Sequence, residues 1–281
     1  MNILIGQNHF DSVGGSETFS HTLAKAMQKF GKVDVATMRP GILSEEFNVN
    51  NFGDHYEHAF ISHFPVVEKV KDLQIDNLVQ IIHGTIPQQE KPHPSAKHVV
   101  ISKEIANHYG QPMPVMRNII DTHRFRPFRT RKHLKRVLSL SQSEKFNRRL
   151  KMICEQMGLE FHSYNKNSNF KIDIADEMRK FDLVVSIGRG VYEAMSCGLN
   201  VLVADERHYQ QPMADGLLTP DNFDEFVSRN CSGRTSCIYP DDAFIADALL
   251  NYDKTFGDAF REIALAEYAP NVVCEKLLNL Y

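Results

Sequence analysis

The chain has 281 residues, 42% of them hydrophobic and 24% charged, with a formal net charge of −3. That balance excludes a disordered chain and is ample for a substantial core, in two domains of ordinary size or one large one. No apolar run reaches the length of a membrane span, and the five cysteines form neither a CxxC pair nor a Cys/His spacing typical of zinc.

In chain order, the opening Met1-Asn2-Ile3-Leu4-Ile5-Gly6 lacks a basic n-region and predicts a buried strand instead of a secretory leader. With an odd cysteine count, this points to reduced thiols in a cytoplasm. Strands are predicted at 2–6, 33–37, 59–62, 78–83, 97–102 and 114–117. The clearest helix follows the first loop, at 16–30, where Phe19, Leu23, Ala26, Met27 and Phe30 recur at helical spacing. Glu17 lies in its first turn, where the helix dipole favours an acid, and Gly31 stops it.

The Pro/Arg-rich segment Arg124-Phe125-Arg126-Pro127-Phe128-Arg129 breaks the pattern and reads as an interdomain linker. A second series follows, with strands at 136–141, 159–163, 182–187, 200–204 and 235–239. Helices are predicted at 147–157, 174–180, 190–197, 221–229, 241–250, 255–267 and 270–280. The alternation predicts an α/β protein of two Rossmann-like domains with a cleft between them. Its expected organisation is an N-terminal Rossmann-like domain over 1–125, a C-terminal Rossmann-like domain over 126–268, and a last helix, 269–281, returning to the N-terminal domain.

Charge is unevenly distributed. Eleven of the 32 Lys/Arg and one of the 35 acids lie between Arg124 and Lys151, so the remainder is strongly acidic. Such a block is either a site for an anionic partner, duplex DNA among them, or a solvated linker.

Ligands of parallel sheets bind at the loops after the strands, and two such loops carry chemistry. In the first, Gly14 and Gly15 let backbone approach a phosphate at a helix N-terminus, but the spacing is not GxGxxG and does not support a nicotinamide dinucleotide. In the second, Asp182 to Val201, a buried strand runs into Gly188-Arg189-Gly190 and a helix that carries Glu193. Arg189 is suited to a phosphate, and a carboxylate at 193 to two vicinal ribose hydroxyls.

The stretch from Asp182 to Val201 resembles the nucleotide-binding signature of retaining GT-B glycosyltransferases (family 4-like, group 1), with Glu193-Ala194-Met195-Ser196-Cys197-Gly198 against the family's Glu-Ala-Met-Ala-Cys-Gly. The likeness extends to Gly14-Gly15-Ser16-Glu17, to Ile101-Ser102, and to the linker motif from Asn118 through Asp121 and Phe125 to Pro127. The resemblance implies transfer of a sugar from a nucleoside-diphosphate sugar, a UDP-sugar first among them, to an acceptor hydroxyl with retention. No separate cofactor and no metal are implied.

By the same resemblance Glu193 holds the donor ribose, and Gly14, Gly15, Ser141, Gly188, Arg189 and Gly190 contact the donor. His83, Lys145 and Arg189 are the catalytic candidates, with Lys145 as the lysine of a diphosphate clamp. His9 and Glu17 are candidates on the acceptor side. The chain departs from the family pattern where Val185 stands for the first Glu of Glu-x7-Glu, Leu140 for the clamp Arg, Ile119 for the linker Gly and Asn200 for a Pro. Arg189, Arg148 and Arg149 are the candidates to replace the missing arginine.

The acceptor remains open between a hydroxymethylated base flipped out of DNA, of the kind made by phages that glycosylate their own genomes, and a small molecule, lipid or glycan. The basic segment inclines the reading towards DNA. A GT-B-fold sugar-nucleotide epimerase and a catalytically silent binding module are the readings from other classes. The oligomeric state is not legible.

Overall fold

A computed structural model describes residues 1–86, 88–128, 133–165, 174–206 and 211–281. The chain divides into two compact units, Met1–Ile119 with Ala269–Tyr281, and Ile120–Tyr268.

In the first unit, β1 (Asn2–His9), β2 (Lys32–Arg39), β3 (Asn48–Val49), β4 (Tyr56–Ser62), β5 (Ile75–Ile82) and β6 (Lys97–Val100) form one parallel sheet in the order β3-β2-β1-β4-β5-β6. This is the Rossmann order, in which chain progression reverses between β1 and β4. Both faces are covered, so the strands are apolar on both sides. On one face Ile3, Ile5 and Phe60 pack with α1 (Gly15–Met27), α3 (Lys103–Tyr109) and α10 (Pro270–Leu278). On the other, Leu4, Ala59 and Ile61 meet Val66, Val67 and Val70 of α2 (Phe64–Val70).

In the second unit, β7 (Arg136–Ser139), β8 (Glu160–Ser163), β9 (Leu183–Ser186), β10 (Asn200–Asp205) and β11 (Met213–Leu217) form a sheet in the order β11-β10-β9-β7-β8. All pairs are parallel except the β10–β11 edge. The order is flavodoxin-like, and its reversal lies between β7 and β9. One face carries α5 (Ala175–Met178), α6 (Arg189–Ser196), α7 (Phe223–Ser228) and Phe260 of α9 (Lys254–Ile263); the other carries α4 (Glu144–Gln156) and α8 (Asp242–Leu250).

Several elements differ from the sequence-based expectation. Residues 114–117 contribute one bridge, Val100 to Val115, in place of a strand, and Pro114 has no N–H for a ladder. Residues 235–239 likewise contribute one bridge, Ala214 to Ile238, and the fifth strand is instead Met213–Leu217, whose Asp215 and Gly216 hide the pattern. The short helices α2 and α3 have too few turns to show a period. The long helix expected at 255–267 is α9 followed by a π-helical turn, Ala264–Tyr268. Ala269 then takes an extended conformation (φ −61°, ψ 145°), as a residue before proline favours, and Pro270 opens α10.

Through α10 the last residues complete the first unit's core, with Val273, Cys274 and Leu277 buried there. Leu277→Ala is expected to destabilise that unit by about 2–5 kcal/mol. A lowered midpoint in urea unfolding checks this, and an unchanged midpoint would remove α10 from the core.

Candidate functional site

The carboxyl end of the second unit's sheet is built at its own reversal point. Asp182 anchors the start of β9 by accepting the N–H groups of Lys135 and Arg136 at 3.0 and 2.9 Å. β9 itself is wholly buried and ends at Ser186. Gly188 caps α6 at φ +60°, ψ −132°, a backbone that a side chain would strain. Two residues on, Gly190 lies so close to Ser186 Oγ that an added Cβ would overlap it, and Leu140 Cδ1 is next nearest, 3.1 Å from that Cβ position. The glycines thus seat the start of α6 directly against the ends of β7 and β9.

This seating buries the charged pair on the helix's first two turns. Arg189 Nε donates to Glu193 Oε1 at 2.8 Å, with the side chains 9% and 12% exposed. Burial pulls the Arg189 pKa down, and the Glu193 carboxylate acts in the opposite direction. Arg189, Gly188, Gly190 and Glu193 are therefore brought together, with the two charged groups turned towards each other.

Ser141, just past β7, donates to Asp205 Oδ1 at 2.5 Å and accepts the Ser143 N–H at 3.1 Å. Asp205 ends β10, so this bond joins the loops after two strands. The next residue, Glu206, accepts from Lys145 Nζ at 2.6 Å. The hydrogen bond and charge of Glu206 raise the Lys145 pKa. Arg149 lies 3.7 Å from Glu206 and 3.3 Å from Asp242, and also donates to the carbonyl of Pro240. Among the described residues the edge thus holds three cations, Lys145, Arg149 and Arg189, each already facing a carboxylate. Such an edge can bind an anion by exchanging partners.

The two departures from the expected motif have structural reasons. Val185 is in mid-strand on β9, fully buried in the core beneath α4 and α8, where a carboxylate would be stranded. Leu140 fills the space beside Gly190. Of the arginines named to replace it, Arg189 and Arg149 are engaged as above, and Arg148 is exposed.

The first unit collects a second group of polar residues at its own reversal. Arg39 donates to His9 Nδ1 at 2.8 Å, which puts the proton of the neutral ring on Nε2. Burial, then the charge of Arg39, lowers the His9 pKa against Glu17 and Asp11. Gly15 is exposed at the start of α1, and the Glu17 carboxylate folds back over Gly14. His83, just after β5, meets Ser62 Oγ at 2.9 Å and packs edge-on against Phe19, centroids 4.8 Å apart.

Sequence reasoning missed His63 and Glu90 here. His63 turns β4 into α2 at φ +74°, a strained backbone for a non-glycine residue, and is 1% exposed. Its Nε2 is 3.2 Å from Glu90 Oε1, at ion-pair distance although not aligned as a hydrogen bond. Glu90 Oε2 accepts the backbone N–H of His83 at 2.7 Å. Burial would raise the Glu90 pKa, but His63, His83 and that N–H outweigh it and hold the carboxyl low. The only sequence signal is a histidine at a strand-to-helix junction, too common to single out.

Among the described residues no group of three or more His, Cys, Asp or Glu could hold a metal ion, and no helix is long and apolar enough to cross a membrane. Of the segment 124–151, residues 129–132 lie outside the described residues. Within the rest, Arg136, Lys145, Arg149 and Lys151 each face an acid.

No family model and no curated protein matches the sequence. Among solved structures the chain is similar to WaaG, a glycosyltransferase involved in lipopolysaccharide biosynthesis, with a TM-score of 0.51 and 12% identity over 100% of this chain and 99% of that one. At that identity the likeness shows the fold, two Rossmann-like units of the GT-B type.

The buried pair yields a stability prediction. Glu193→Ala leaves the Arg189 guanidinium without its carboxylate and is expected to cost about 3–5 kcal/mol. Glu193→Gln keeps a carbonyl acceptor and is expected to cost less. Chemical denaturation of both variants checks the order, and wild-type midpoints in both would mean the pair carries no stability.

Proposed function

We propose that this protein transfers a sugar from a nucleoside-diphosphate sugar to an acceptor hydroxyl with retention of anomeric configuration. The observation that carries the reading is the Gly188–Gly190 turn, which sets Arg189 and Glu193 at the β7–β9 reversal while Lys145 opens the neighbouring helix α4. The sequence motif and the fold, similar to that of a glycosyltransferase, support it.

The chemistry asked of these groups is electrostatic. As the bond from the anomeric carbon to the diphosphate breaks, negative charge grows on the leaving oxygens, and cations fixed beside them lower the barrier. Lys145 and Arg189 take that role. The acceptor oxygen bonds to the anomeric carbon on the same face, and its proton passes to the departing phosphate, so no protein base is needed. Glu193 exchanges Arg189 for the two ribose hydroxyls of the donor. Ser141, Gly14 and Gly15 are assigned to the donor, His83 to its sugar, and His9 and Glu17 to the acceptor side.

A UDP-sugar is the first donor to try. For the acceptor, DNA with a hydroxymethylated base loses part of its charge argument, because four cations of the basic segment already face acids. A small molecule, lipid or glycan hydroxyl is the reading we favour. Strong, salt-dependent binding to duplex DNA would reverse that preference.

A panel of nucleotide sugars and free nucleoside diphosphates tests the donor. A ligand at 100 times its Kd should raise stability by about 2.7 kcal/mol, and Lys145→Ala and Glu193→Gln should weaken that shift. Absence of a shift with every nucleotide would refute the proposal. Donor consumption without any acceptor would instead favour an epimerase.

Because Glu206 competes for Lys145, Glu206→Gln is expected to bind inorganic pyrophosphate several-fold more tightly than wild type by titration calorimetry. Weaker binding would mean that Glu206 positions Lys145 and does not compete with the phosphate.

A further inference from the structure

In the first unit a line of side chains runs from the first turn of α1 to the end of β5. Gln7 Nε2 donates to Ser16 Oγ at 3.3 Å, and Ser16 Oγ donates to Glu17 Oε2 at 3.2 Å. On its other side Gln7 Oε1 accepts from Ser20 Oγ at 3.4 Å. Ser20 Oγ is 3.1 Å from Ser62 Oγ, which is 2.9 Å from His83 Nε2. Gln7, Ser20 and Ser62 are buried, so these bonds form away from solvent.

The direction of every bond follows from one end. A carboxylate only accepts, so Ser16 must give its single proton to Glu17. Ser16 Oγ then accepts, and Gln7 must present its amide nitrogen to it. That leaves Gln7 Oε1 facing Ser20, whose proton is thereby used. Ser62 must donate to Ser20, and with its own proton used it can only accept from the ring. His83 Nε2 therefore carries a proton. In the neutral ring Nδ1 is then the accepting nitrogen.

We infer that Glu17 and Gln7 are positioning residues for His83: the carboxylate at the start of α1 sets, through four intervening side chains, which nitrogen of His83 donates and which accepts. The chain also spans the β1–β4 reversal, where a Rossmann sheet binds its ligand. It gives a physical reason for a carboxylate at position 17 other than contact with an acceptor. In the proposed activity, the tautomer of His83 would decide which polar atoms of a sugar its ring can face. That functional value rests on the glycosyltransferase reading, whereas the tautomer does not.

The test is nitrogen NMR of the full chain with labelled histidine, with His83 assigned through a His83→Gln variant and read at a pH where its ring is neutral. Wild type should show a protonated Nε2 with a slowly exchanging proton and an unprotonated Nδ1. Ser62→Ala should lose that protected proton. Glu17→Gln can accept or donate towards Ser16, so the chain can run either way and the Nδ1-protonated form should appear alongside the other. Glu17→Lys can only donate and should shift the ring further towards Nδ1–H. A wild-type ring protonated on Nδ1, or both Glu17 variants keeping the wild-type tautomer, would overturn the inference. The spectra decide this whether or not any nucleotide sugar binds, so failure of the relay and failure of the proposed activity are told apart.

Discussion

A guanidinium nine-tenths out of water needs a carboxylate beside it, and the Arg189–Glu193 pair meets that need within one turn of helix. Much of the second unit's site follows from this constraint. Gly190 is small enough to bring the helix down onto the strand ends, and Leu140 fills the space beside it. Lys145 and Glu206 repeat the solution nearby with one partner exposed and the other buried. The cations and carboxylates described on that edge therefore largely offset one another in charge.

The two units use one topological rule with different polar groups. Each sheet is parallel near its reversal, so strand ends, loops and helix starts gather on one edge. In the second unit that edge is charged. In the first, neutral hydroxyl, amide and imidazole groups lie among the charged Arg39, Asp11, Glu17 and Glu90. Neutral groups cannot neutralise a phosphate strongly, but they can fix which atoms donate and which accept.

What was legible in the sequence was local. Parallel strands buried on both faces appear as short apolar runs, so β1, β2, β4, β9 and β10 were readable, as was the strand–glycine–helix stretch from Asp182 to Val201. The glycines at 188 and 190 mark their own constraint. Pairings between distant residues left no trace. Lys145 and Glu206 are 61 positions apart, so the basic segment looked unopposed until the fold brought acids to it. His63 and Glu90 meet because β4 and β5 are neighbours, and no spacing rule encodes that. β11 was missed because Asp215 accepts three backbone N–H groups from the 233–236 loop, a role that puts a carboxylate in the middle of a strand.

The return of α10 to the first unit has a consequence for how the chain is made. That unit is discontinuous, with residues 1–119 separated from their closing helix by the whole of 120–268. During synthesis from the N-terminus, the second unit is complete as a continuous segment while the first still lacks Val273, Cys274 and Leu277. The apolar groove that those side chains fill stays open until α10 has emerged from the ribosome. A nascent chain of this protein is thus most prone to aggregate at the unit that was translated first, and the order of translation is not the order in which the units are finished.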